Sequence, residues 1–414
     1  MAPNPDQTRL ARRLGTGDAV MVGLGSMIGA GVFAAIGPAS RAAGTWLLLG
    51  LALAGALAYC NATSSAQLAA LHPKSGGTYL YGRERLGVFW GYLAGWGFVA
   101  GKLASCAAMA LTFGAYAAPR AARPLAVAAV LALAAVNLRG VQKTAAVTRV
   151  IVALVLSALG VMVVAALAGG QADLARLDGP VARANPRAVL QAAGILFFAF
   201  AGYARIATLG EEVKDPSRTI PRAIPIALGI TLAVYALVAV SALLAVGPEG
   251  LARTDTPLVA AVEAGRLAAV APVVRVGAAV ASLGVLLSLL AGVSRTAFAM
   301  AANGDLPRAL DAVHPRYRVP HRAEIAVAAL VAVAAATLDL REAIGFSSVT
   351  VLTYYAITNA SALTLSPHER RWPRWIAAAG LAGCLAFTAS LPPSSVIAGA
   401  SVLGLGAAVH GLRR

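Results

Sequence analysis

GLGSMIGAGVF, residues 23–33, places Gly23, Gly25, Gly29 and Gly31 inside an apolar stretch that otherwise has the length of a membrane-spanning helix. Each glycine in a helix interior costs about 1 kcal/mol relative to alanine, so four within nine residues predict an interruption. A second stretch, FFAFAGYARIA at residues 197–207, sets Gly202 after a run of aromatics and predicts a second one. Backbone freed from helix at membrane depth persists only where it lines a cavity or is buried in protein. The glycine run lacks the G-x-G-x-x-G spacing and the preceding strand of a dinucleotide site. It is either a small-residue packing face between helices or an unwound hinge whose N–H groups take an anion and whose C=O groups take a cation. The companion break favours the hinge.

Working outward, the 414 residues are 59% hydrophobic and 12% charged, with a mean hydropathy of +0.76. Soluble domains carry about 25% charged residues. Runs such as WLLLGLALAGALAY (46–59) and VIVALVLSALGVMVVAALAG (150–169) approach or reach the roughly 20 apolar residues that cross a bilayer. The fold class is therefore an all-α membrane protein. We read about 12 transmembrane helices at approximately 16–39, 46–70, 87–117, 122–138, 143–169, 189–212, 221–246, 273–301, 323–338, 343–365, 373–390 and 393–411. Segment 248–266 reads as an external loop with a short surface helix.

The net charge of +17 falls between the spans, without the aromatic interleaving of a nucleic-acid surface. It reads as topogenic charge facing membrane lipid, and nucleic acid is excluded as a partner. Basic residues are roughly twice as frequent in segments on the amino-terminal side as on the other, which predicts both termini in the cytoplasm of a multi-pass protein of the cell membrane. The amino terminus superficially resembles a signal peptide, but no A-x-A site closes it and it is kept as the first span. Cys60, Cys106 and Cys384 form neither metal spacing nor a disulfide framework. No metal and no cofactor is expected.

The breaks fall in spans one and six. Spans 1–5 (16–169) and 6–10 (170–365) then form two five-helix units, each opening on an interrupted helix. They follow a cytoplasmic amino terminus (1–15) and precede two further helices and the carboxyl terminus (366–414). Because five is odd, the second unit enters the membrane from the opposite side. This predicts a 5+5 inverted repeat with discontinuous helices 1 and 6, and transporters place their substrate at such a repeat interface.

GSMIGAGVF in span one, FFAFAGY in span six, EEVKDPSRTIPRAIP (211–225) and SRTAFAMAANGDLP (294–307) together resemble the amino acid–polyamine–organocation (APC) superfamily, whose permeases have the leucine-transporter fold. The resemblance covers essentially the whole chain. It implies a secondary transporter of amino acids working by alternating access as a symporter or antiporter. The carboxylate would be taken by N–H groups around Gly29, Ala30 and Gly31. The ammonium would be taken by carbonyls near Ser26, Met27 and Ile28 and around Phe198, Ala199, Phe200, Ala201 and Gly202. Relatives that carry cationic substrates often have an acidic residue two positions after the span-six glycine. Here that position is Ala204, and a second positive charge would be buried unpaired, so a neutral amino acid is favoured.

Charges within spans are functional hypotheses by default. Lys102, deep in span three, either finds a partner or loses its proton. Proton-coupled relatives carry a lysine in span five, where this chain has an apolar residue near Val155. Lys102 is therefore the expected coupling or gating charge, with H+ as a possible second partner, and a packing lysine capped by carbonyls is the alternative. Arg205 contacts an acidic substrate or holds a gate, or else pairs with Glu211 or Glu212, which could also serve the inner gate. The segment 211–221 reads as a cytoplasmic turn with a proline stop.

An intramembrane enzyme would need H-E-x-x-H or paired aspartates within a span, and neither occurs. A channel would want repeated filter loops or rings of like charge. Two alternatives stay open: a cationic amino acid or polyamine permease or antiporter, and an amino acid sensor of the same fold that does not transport.

Overall fold

The computed structural model describes residues 14–72, 76–140, 145–177, 185–207 and 213–412, and among these it contains sixteen α-helices and one isolated parallel bridge, Leu14 to Val213. The first apolar stretch is divided between α1 (Thr16–Met27) and α2 (Ala30–Ala43), and α3 (Leu47–Leu71) follows after a turn at Gly44. The short α4 (Thr78–Leu86) precedes α5 (Val88–Ala117), α6 (Ala122–Leu138) and α7 (Ala145–Ala168). The sixth stretch is divided between α8 (Pro186–Phe200) and α9 (Ala204–Ala207). Then come α10 (Pro216–Ala252), α11 (Pro257–Glu263), α12 (Ala271–Ala302), α13 (His321–Thr337), α14 (Leu340–Leu363), α15 (Arg374–Ser390) and α16 (Pro393–Leu412). Among the described residues, eight helical stretches are long and apolar enough to cross a membrane, and Arg374–Ser390 is a shorter apolar helix.

Local chemistry sets the helix ends. Asp339 caps α14 by accepting the N–H groups of Arg341 (2.9 Å) and Glu342 (2.8 Å), while Glu342 accepts the Asp339 N–H at 3.0 Å. This reciprocal arrangement satisfies donors a helix start leaves open. Asn185 caps α8 through the Arg187 N–H at 3.0 Å. The proline stop expected in segment 211–221 is instead a helix start. Pro216 opens α10, where the missing N–H costs nothing, and Pro221 and Pro225 continue inside it.

Helix α5 is among the most enclosed in the bundle and α16 the least. It packs against α12 and α14 on different faces, with α4, α6 and α13 around it. The two ends of the bundle are closed differently. At one end Ser40 donates to Pro248 O (2.8 Å), Arg41 to Ala252 O and Tyr116 to Phe33 O (2.9 Å). Helix α11 fills in beneath them. It is not the surface helix expected from sequence, because Pro257, Leu258, Val259, Ala261 and Val262 are all buried. At the other end Arg149 pairs with Asp18, Arg83 with Asp305 (2.7 Å) and Arg85 with Glu369 (2.7 Å), and Lys214 N–H donates to Leu14 O at 2.8 Å.

Candidate functional site

The first expected interruption is present, the second takes the form of a tightened 3₁₀ turn, and the two meet. Helix α1 stops at Met27; Ile28 (φ −78°, ψ 68°) and Gly29 (φ −122°, ψ −151°) leave helical geometry, and α2 restarts at Ala30. The first-turn N–H groups of α2 have no carbonyl within their own helix to bond and lie at the positive end of its dipole. Helix α8 gives way to a tightened 3₁₀ turn at Ala201–Tyr203 before α9. A Cβ on Gly202 would lie 2.1 Å from Ser26 O and 2.7 Å from Met27 N, and one on Gly31 would lie 2.7 Å from Ala199 Cα. Only glycine at both positions allows these backbones to touch.

A tyrosine the sequence reading missed joins the two breaks. The Tyr235 hydroxyl, from α10, lies 2.5 Å from Met27 O and 3.1 Å from Ala199 O, its one hydrogen shared between the carbonyls. Its ring meets Phe200 edge-on with centroids 5.1 Å apart. The available signal was that Tyr235 is the only aromatic residue in the α10 sequence. Tyr355, on α14, reaches Ala201 O more loosely at 3.5 Å and packs against Phe197 and Tyr203. Behind it Asn359 Nδ2 donates to Asn61 Oδ1 (2.6 Å) and to Tyr355 O (2.9 Å), while Ser64 donates to Asn359 Oδ1 at 2.7 Å. This buried amide network ties α3 to α14 beside the second break.

The structure thus brings together Ser26, Met27, Ile28, Gly29, Ala30, Gly31, Phe198, Ala199, Phe200, Ala201 and Gly202. The Ser26 hydroxyl turns back to Val22 O at 2.9 Å, leaving its main chain to face Gly202. Next to the seam is a small apolar hollow lined by Gly31, Leu51, Leu196, Ala199 and Tyr235. At about 10 Å³ it has room for a single water.

Lys102 is buried on α5, its ammonium 5.9 Å from the Phe98 ring centroid. On the same helix Gly95 faces Met300 of α12, Gly101 faces Thr350 and Val351 of α14, and Ser105 bonds Ser347 of α14 at 2.7 Å. At 3.6 residues per turn, Lys102 points between those two rows, into the wedge where α12 and α14 diverge. Helix α2 packs on α5, α12 and α14. Arg205 lies on α9 with its side chain exposed. Glu211 and Glu212 lie outside the described residues. Among the described residues no group of His, Cys, Asp and Glu could hold a metal.

A second ionisable residue, Glu324 of α13, is also buried within an apolar helix and was not singled out from sequence. It stands second in the span read at 323–338, a position that looks like a helix end.

A family model described as amino acid permease matches residues 14–403. The chain belongs to the amino acid permeases of the APC superfamily. It is 63% identical over 410 residues to a protein of Mycobacterium tuberculosis (strain ATCC 25618 / H37Rv) described as an uncharacterized transporter, covering 99% of this chain and 92% of that one. It is also similar to the branched-chain amino acid permease BcaP of Bacillus subtilis, at 24% identity with 90% of this chain and 85% of that protein covered. A cationic amino acid transporter of Arabidopsis thaliana, described as chloroplastic, matches at 28% identity over 85% of this chain and 65% of its own length. As a permease, the chain is a multi-pass membrane protein of amino acid transport.

Proposed function

We propose that this permease is a secondary active transporter that moves a neutral amino acid across the cytoplasmic membrane by alternating access. The observation that carries the reading is the meeting of the two breaks, with Gly202 against the Ser26 main chain and Tyr235 spanning Met27 O and Ala199 O. In this reading the substrate carboxylate binds the first turn of α2 at Gly29, Ala30 and Gly31. Its ammonium competes with Tyr235 for the carbonyls at Met27 and Ala199. Half-helix ends offer partial charges to a zwitterion without the cost of burying full ones. Twelve spans, a 5+5 inverted repeat and both termini in the cytoplasm complete the reading.

A neutral substrate fits the apolar lining, and Ala204 offers no carboxylate to a second positive charge. Lys102 in the neighbouring wedge would repel one. Lys102 is also the coupling group of the proposal. A buried amine without an ion-pair partner gains or loses a proton as the wedge opens and closes to water, and proton symport or exchange follows. The alternative of a cationic substrate takes its support from the 28% identical relative described as a cationic amino acid transporter.

Purified protein in liposomes, preloaded with unlabelled amino acids, tests the proposal by counterflow of labelled neutral and cationic amino acids at two pH values. Saturable counterflow of a neutral amino acid is expected, with Lys102→Ala losing the pH dependence. Absence of counterflow for every amino acid tried, with the protein folded, rejects the carrier reading. Unchanged pH dependence in Lys102→Ala rejects the coupling role alone.

A further inference from the structure

Glu324 is 3% exposed in the first turn of α13, and α6, α12, α5 and the turn at Arg308–Leu310 pack against that helix. From α6, Asn137 Nδ2 donates to its Oε1 at 3.0 Å and, with its other hydrogen, to Leu287 O of α12 at 3.2 Å. From α12, Ser294 stands beside the carboxyl and Arg295 acts on it from an exposed position. From α5, Cys106 is fully buried one helical turn from Lys102 and near Glu324. Arg308 in the packed turn is exposed, as is Arg322 on α13 itself, and His321 on α13 is half-buried. Among the described residues Glu324 makes no ion pair.

The hydrogen count at this carboxyl decides its chemistry. The Ser294 hydroxyl lies 2.8 Å from Leu290 O, so its one hydrogen is contested between that carbonyl and Glu324. Asn137 supplies one donor and has spent the other. An ionised carboxylate, with about four lone-pair sites to satisfy, would meet at most two donors, Asn137 and a serine that Leu290 O also claims. A protonated carboxyl asks for fewer donors: its C=O accepts from Asn137, and its O–H can donate to Ser294 when the serine hydrogen turns to Leu290 O. Removing a buried carboxylate from water without a cation or several donors is among the largest local penalties a fold can carry.

We propose that Glu324 is a proton-binding site of this transporter, occupied when α13 is packed on α6 and α12 and emptied when water reaches it between them. This goes further than the Lys102 coupling and rests on the reading of the chain as a proton-coupled carrier. On release the carboxyl O–H bond breaks, the proton passes to water, and the carboxylate stays on α13. Because the packed form binds the proton more tightly than the opened form, the proton concentration shifts the equilibrium between them.

The test uses the full chain in lipid nanodiscs, titrated by pH-difference infrared spectroscopy, beside uptake in liposomes. The wild type is expected to show the carbonyl stretch of a titrating carboxylic acid that Glu324→Gln lacks and that Ser294→Ala moves to a different pH. Glu324→Gln is expected to keep uptake at low pH while its dependence on external pH flattens by about threefold or more. A band unchanged in Glu324→Gln, or a wild-type pH profile in that variant, overturns the proposal. If Glu324→Gln does not fold, Ser294→Ala and Glu324→Asp carry the titration, and a band that ignores both rejects the site. The infrared signal needs no amino acid, so it stands or falls separately from the transport reading.

Discussion

The two helix breaks do the same work with different local structure. At the first, the chain leaves helical geometry for two residues, and Gly29 is extended at φ −122° and ψ −151°. At the second, the chain never becomes extended; the helix only tightens to a 3₁₀ turn at Ala201–Tyr203. Four glycines weaken the first from within, whereas the second has one, and Gly202 serves to admit the Ser26 carbonyl more than to loosen its own helix. The first break therefore presents N–H groups at a new helix start, and the second presents carbonyls, two of them already met by Tyr235 and Tyr355. A site for a zwitterion needs one of each.

The largest effect expected from this comparison is at Gly202. A valine there sets its Cβ against the Ser26 C and O atoms, which cannot swing aside as a side chain would. Uptake should fall below detection, with a lowered melting temperature in detergent. Near-normal uptake would show that the breaks separate in the working state. Tyr235→Phe is next. Loss of the one hydrogen shared between the two carbonyls, a hydrogen bond of about 1 kcal/mol, should change substrate affinity by about fivefold. The direction is informative: tighter binding means that the hydroxyl competes with the ammonium, and weaker binding means that it holds the breaks in shape. Thermal-shift titration reads it directly.

Tyr355→Phe should do less, under about threefold in affinity, because a 3.5 Å contact is at the edge of a hydrogen bond. An effect equal to that of Tyr235→Phe would mean that the second break draws in on Ala201 during transport. The smallest effect lies outside the membrane, at the Arg85–Glu369 pair. Hydrogen bonds from Arg85, then from the Ser366 N–H, hold the Glu369 carboxyl down at about 2 from an ordinary 4.5. A depressed carboxyl contributes stability above its unfolded value, lost as the pH falls from about 4.5 through about 2. Glu369→Gln should thus match the wild type in acid and fall slightly below it at neutral pH in melting temperature. A difference between them that appears only in acid would contradict the pair.

Both breaks were legible from glycine placement alone, and so were the helices, whose apolar length leaves few other structures possible in a bilayer. Tyr235 was less legible, since a single tyrosine in an apolar helix has no periodicity to mark it. Glu324 escaped for another reason: two residues into an apolar stretch, a carboxylate reads as a helix end in water, and only the packing of α6 and α12 over it shows it buried.

What the sequence determined by itself was the class of molecule and the location of its two weak points, because helix stability and bilayer length depend on residues near one another in the chain. What the tertiary structure decided was which groups meet at those points. The contact of Gly202 with Ser26, the hydroxyl shared between Met27 and Ala199, and the hydrogen bond from Asn137 to Glu324 each join residues far apart in the chain. No local rule counts the hydrogens available there, and packing alone sets them.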